Sequence, residues 1–246
     1  MSENRKIITS FSVVIIFVFL LVSNNWIVRG QEGGFFSYLP LILNGSEITQ
    51  PTEEPPGVMV LPNHTSYVSS SDENLHIIGE VNNNTEDHLR FVKVNVKFFD
   101  INGELLDSDF TYTLLDNVPA GEKACFDFPV ETAGIWSYYE LDIDSYWTDG
   151  LPYPNLSVTD LNGYLNSSGQ YEIYGQITNN DNSIIELVTP VGTLYNPAGM
   201  VIGCDFGFVD SYDLNPTDST QFQILFLGRD YSDVASYRIQ VEGDIQ

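Results

Sequence analysis

Positive charge is scarce in this sequence. Nine Lys and Arg stand against 34 Asp and Glu, a formal net charge of −25. The deficit sets nucleic acid aside as a partner, because phosphate backbones are bound by basic patches. It argues equally against docking on an anionic membrane surface. Cysteine is limited to Cys125 and Cys204, too few for a disulfide-dense mini-protein or a thiolate zinc site. Histidine is limited to His64, His76 and His88, with no HExxH and no pair at i,i+4. A catalytic zinc site therefore has no sequence support, and no metal or other cofactor is expected. Neither a G-x-S-x-G elbow nor a phosphate-cradling glycine motif occurs. Capped helical periodicity is also missing beyond the N-terminal apolar run.

What is present is apolar and aromatic: 43% and 13% of the 246 residues. That is enough to bury the cores of one large or two small domains. Arg5 and Lys6 precede an uncharged stretch whose densest part, Val13–Val22, has the length of a signal-peptide h-region. Residues 1–30 are read as a signal peptide or, uncleaved, a single membrane anchor with the basic end inside. The expected location is therefore extracellular or at the cell surface. Residues 31–70 hold the apolar patch Phe35–Leu43 and the Pro-rich Gln50–Gly57, a composition that predicts an extended stalk.

The remainder repeats. Sliding the sequence by 96 positions aligns Ile77 with Ile173, Gly79 with Gly175, Asn83 with Asn179, Gly103 with Gly199 and Phe126 with Phe222. With two extra residues in the first copy, Tyr139 and Ile143 come opposite Tyr237 and Val241. The identities are glycines, turn asparagines and core-type residues, the positions a duplicated scaffold keeps. Within each copy the period is two. Val92, Val94, Val96 and Phe98 share one face of a strand, with Lys93, Asn95 and Lys97 on the other. Asp100–Glu104 carries Asn-Gly, a hairpin signal in which both residues tolerate positive φ, and Asn196–Gly199 occupies its place in the second copy. Pro190 inside a strand pattern marks an edge or bulge. The expected fold is all-β: two tandem immunoglobulin-like antiparallel β-sandwich domains, 71–145 and 165–246, joined by an aromatic-rich linker, 146–164.

These residues resemble a family. Gly79-Glu-Val-Asn-Asn, Val96-Lys-Phe-Phe-Asp100 and Asn102-Gly103, with Gly192-Thr-Leu-Tyr-Asn196 in the second copy, are similar to the FxLYD domain of bacterial and archaeal exported proteins. Val118-Pro-Ala-Gly121 followed by Phe126-Asp-Phe128 is similar to its Pro-Gly turn and Phe-rich strand. Phe98-Phe99 replaces Leu-Tyr in the first copy, and Asn196 replaces Asp in the second. The resemblance implies a non-catalytic module on the cell exterior, with no agreed ligand and no catalytic residues to carry over.

Export would permit a disulfide. Strand parity, however, sets Cys125 outward, opposite to Phe126, and Cys204 inward with Phe206 and Phe208, an arrangement that weighs against a bridge across the domain boundary. Abundant carboxylates keep open a hydrolase acid pair such as Asp142/Asp144, although a solvated acidic surface explains them. Asp100–Glu104 lacks the remaining spaced ligands of a calcium loop. Five Asn-x-Ser/Thr sequons, at Asn44, Asn63, Asn83, Asn155 and Asn166, matter only in a glycosylating secretory pathway. The ligand-binding candidates are Tyr146, Trp147 and Tyr153, because aromatic faces bind sugar rings and nearby acids accept hydroxyl hydrogen bonds. The expected protein is a non-enzymatic exterior display or binding protein with an unknown protein or glycan partner. Alternatives are a carbohydrate-binding module and a carboxylate-dependent hydrolase.

Overall fold

A computed structural model describes residues 57–130, 136–148 and 152–246. The N-terminal apolar run, Phe35–Leu43 and Asn44 lie outside the described residues. Among the described residues every element is a strand, and every pairing is antiparallel.

The first sandwich is built from β1 (Gly57–Val60), β2 (Thr65–Val68), β3 (Leu75–Asn84), β4 (Leu89–Phe99), β5 (Leu105–Tyr112), β6 (Asn117–Val118), β7 (Lys123–Val130) and β8 (Tyr138–Trp147). In one sheet β3 pairs β1 and β2 along one edge and β7 along the other. In the facing sheet β4 lies between β5 and β6 on one side and β8 on the other. The second sandwich comprises β9 (Leu156–Leu165), β10 (Tyr171–Asn179), β11 (Ile185–Tyr195), β12 (Val201–Phe206), β13 (Phe208–Val209), β14 (Ser219–Phe226) and β15 (Ser236–Ile245). Its sheets run β13-β14-β10-β9 and β12-β11-β15.

Strand starts recur at the offset found in the sequence. Leu75, Leu89, Leu105 and Lys123 open β3, β4, β5 and β7, while Tyr171, Ile185, Val201 and Ser219, each 96 positions later, open β10, β11, β12 and β14. The pairing Leu89↔Val118 returns as the bridge Ile185↔Leu214. Period-two burial decides the inner faces. Val92, Val94, Val96 and Phe98 are buried in the first core, and Ile173, Ile177, Phe222, Ile224 and Phe226 in the second.

Four expectations need correction. The stalk contains two strands, because Val58 and Val60 pack on the first core and β1 covers the edge of β3. The linker shrinks at both ends, since β8 runs through Trp147 and β9, beginning at Leu156, completes the second sandwich. At Asp100–Glu104 only Gly103 takes positive φ (84°), while the Asp100 carboxylate accepts the amides of Asn102 and Glu104. The hairpin is therefore a tight turn closed by a glycine bulge rather than a two-residue Asn-Gly loop. The fourth is the cysteine pair, which is bridged. Pro190 does lie beside a bulge in β11, between Glu186 and Thr189. Its carbonyl accepts from Gly207 just beyond the β12 ladder, so the missing amide costs no sheet bond.

Candidate functional site

The densest polar chemistry lies where the two sandwiches meet. Strand β3 is buried on both faces over Ile77–Asn83. Alternation turns Ile77 and Val81 into the first core and leaves Ile78, Glu80 and Asn82 facing the second sandwich. Glu80 accepts hydrogen bonds from the Tyr195 hydroxyl (2.6 Å) and the Asn63 amide (2.9 Å). The Val201 amide donates to the Asn63 carbonyl, and the Thr65 hydroxyl to the Val201 carbonyl. Val191 and Cys204 join the apolar cluster that holds Val81, Phe126 and Cys125.

Cys125 and Cys204 are bridged, with Cα atoms 5.9 Å apart. Cys125 does point away from its own core, as parity requires, but outward there means into the second sandwich. Cys204 is inverted relative to expectation because the β11–β12 register slips between Leu194↔Gly203 and Tyr195↔Val201. The extra residue, Ile202, packs into the core, and Cys204 is delivered to the joint. Phe206 and Phe208, expected inside, are exposed, at 49% and 69%. Two adjacent side chains on one face are invisible to a period-two reading.

Two acidic clusters flank the bridge. At one, His76 Nδ1 lies 2.8 and 2.9 Å from the Asp127 carboxylate oxygens, and Nε2 lies 3.1 Å from Asp72. The ring stacks on Tyr67 with centroids 5.3 Å apart. The Asp127 carboxylate, then Asp72, hold the imidazole above its ordinary range. From the second sandwich Asp205 faces the same group, and burial pushes its carboxyl up to about 6. The Tyr231 hydroxyl is pushed up to about 12 by burial, and Arg229 lies over both Tyr67 and Tyr231. At the other cluster, Glu242 accepts the backbone amide of Asn117 across the joint at 3.0 Å, and burial lifts its carboxyl to about 7. Arg238 pairs with Glu122, and Gln240 donates to the Lys123 carbonyl, both from one sandwich to the other.

The aromatic candidates are dispersed. Tyr153 donates its hydroxyl to the Val241 carbonyl at 2.7 Å and stacks on His88, so it helps seal the joint. Trp147 is 64% exposed and meets Phe91 edge-on. Tyr146 neighbours it on β8, where alternation points it to the opposite face. A second aromatic group, absent from the sequence reading, occupies the outer face of β9-β10-β14. Glu172 accepts from Tyr174 (2.6 Å), Asn166 (2.7 Å) and Tyr164 (3.0 Å), and Gln223 donates to the Tyr174 hydroxyl (2.7 Å). The Tyr174 and Asn166 bonds hold the Glu172 carboxyl below its usual range. The signal was there: Glu172 and Tyr174 sit two apart, hence on one face, but only the β9 register brings Tyr164 to them.

Among the described residues no group of three or more His, Cys, Asp or Glu has the geometry to hold a metal ion. Both His76 nitrogens are occupied by carboxylates, leaving neither to activate a hydroxyl. The sequons Asn63 and Asn83 have their amide nitrogens committed inside the protein, Asn83 to the carbonyls of Asp87, Val118 and Pro119. Asn155 is exposed.

No protein-family model matches the chain, and no curated protein matches it. Among solved structures it is similar to the exo-chitosanase of Amycolatopsis orientalis, at 13% identity and a TM-score of 0.28, over 74% of this chain and 25% of that one. It is similar also to red sea bream transglutaminase, at 12% identity and a TM-score of 0.26, over 75% of this chain and 29% of that one. The chain thus spans between a quarter and a third of each of these proteins.

Proposed function

We propose that this chain is an exported, non-catalytic protein of two FxLYD-like β-sandwiches, locked into one rigid unit that presents its free sheet faces at the cell exterior. The observation that carries the reading is the Cys125–Cys204 bridge inside the joint. A structural disulfide forms and persists in oxidising compartments, which supports export in agreement with the apolar N-terminal segment. The commitment of joint side chains to each other favours a rigid spacer or binding body over a catalyst. The experiment is fractionation of the native host followed by intact-mass analysis after thiol alkylation. A bridged, alkylation-resistant pair in the exterior fraction supports the reading. Free thiols in a cytosolic fraction overturn it.

A second reading, carbohydrate binding, is favoured by the Tyr164–Tyr174–Glu172–Gln223 group on an open sheet face, where planar polar groups and aromatic rings offer the contacts sugar hydroxyls and rings require. Glycan-array screening of the wild type with Tyr174→Ala and Trp147→Ala controls separates this face from the aromatic end of β8. Silence across the array retires both.

A further inference from the structure

The joint carries more titratable side chains than a passive contact needs, and carboxylates outnumber the cations among them. Glu242 reaches across from β15 to the Asn117 amide and is faced by Asp116 beside β6, Asp244 on its own strand and Tyr153 from the crossover. Arg90 faces Asp116, and Arg238 is taken by Glu122. At the other cluster Asp205 is faced by Asp127 of β7, by His76 of β3 and by Tyr231. His76 is itself set among Asp72, Asp127 and Tyr67, and Arg229 is held by Asp233. Removing protons here leaves carboxylates facing carboxylates in a dehydrated contact, where like charges repel most strongly.

We propose that the joint is a proton-dependent latch: mildly acidic surroundings hold the two sandwiches tightly together, and alkaline surroundings loosen them about the disulfide, which keeps them tethered. The sign follows from which state binds more protons. Asp205 and Glu242, raised to about 6 and about 7, keep protons in the closed joint that they lose on opening, so closure weakens as pH rises through those values. Asp116, raised by burial, adds to the same slope. His76 takes the partners that raise it, Asp127 and Asp72, from its own sandwich, so that shift persists on opening and adds nothing to the slope. His64 acts oppositely, since burial lowers it, but only below about 6.5, where it is charged when unfolded. Above that pH the groups of the joint act alone.

Hydrogen exchange on the full chain tests the latch. The reporters are the amides of Asn117 and Val201, which donate across the joint, with the Ile224 amide inside the second sandwich as reference. After correction for intrinsic exchange, protection at Asn117 is expected to fall about tenfold between pH 5.5 and 8, with Val201 following and Ile224 unchanged. Glu242→Gln is expected to flatten the profile at Asn117, and Asp205→Asn to reduce the loss at Val201. The latch is overturned if wild-type protection at both reporters is independent of pH, or if the fall persists unchanged in the two variants. The wild-type profile decides the matter even where a variant fails to fold.

Discussion

Gly79 and Gly175 lie directly opposite Phe126 and Phe222 in their sheets. A methyl group at either glycine would come within 3 Å of the facing ring, as near as 2.5 Å at Gly175. The ring covers the bare backbone, and the pair survives at both offsets because neither member tolerates change without the other. Asn83 and Asn179 show the same logic in polar form. Each is buried and donates its amide to a carbonyl of the following turn and to the carbonyl of the residue 35 positions on, Val118 or Leu214. Gly175→Ala is expected to destabilise the protein by about 1–3 kcal/mol through overpacking against Phe222. Gly199→Ala meets no neighbour and should cost only the strain of its positive φ, about 1 kcal/mol. Urea unfolding of both variants separates the mechanisms, and equal losses would contradict the ring-covering argument.

At the scale of elements, alternation was legible wherever a strand ran without interruption. Tyr139 is buried, Leu141 and Ile143 pack on the first core, and Tyr237, Ile239 and Val241 pack on the second, all as parity requires. Interruption defeated it. The bulge at Ile202 reversed Cys204 and every residue after it in β12. The first edge strand, broken into the four-residue β1 and β2 around Leu61–His64, was too short to separate from the Pro-rich segment before it. The candidate site was the least legible part, because the bridge and the bonds around it join residues 79 to 136 positions apart and no local pattern encodes such contacts. The disulfide is the element that fixes them. It closes a loop of 79 residues, and its loss through paired Cys125→Ser and Cys204→Ser substitution should lower stability by about 2–5 kcal/mol. Thermal unfolding with and without reductant checks this. An unchanged midpoint would show that the apolar cluster Val191 joins across the joint suffices without the bridge.

On the scale of the whole molecule, the joint is heterologous: the outer face of β11 and β12 meets the outer face of β3 and β7. Each sandwich carries both kinds of face, so the contact could in principle continue from chain to chain. Side chains at the two free ends prevent it. Where the joint has Ile78, Glu80 and Cys125, the free face of the second sandwich has Tyr174, Gln176 and Gln221. Where the joint has Val191, Thr193 and Cys204, the free face of the first has Asn95, Lys97 and Ser108, with Lys97 already paired to Asp142. The substitutions exchange apolar and bridging groups for solvated ones, as the end units of repeat proteins do. Mutual repulsion acts in the same direction, since residues 57–246 hold 6 Lys and Arg against 29 Asp and Glu, a net charge of −23. Residues 57–246 are therefore expected to remain monomeric in light scattering at high protein concentration and in moderate salt. Restoring joint chemistry at both ends, with Asn95→Val and Lys97→Thr on one face and Gln176→Glu and Tyr174→Ile on the other, should promote concentration-dependent association. Oligomers of the unaltered protein at low concentration would show that the polar ends do not act as caps.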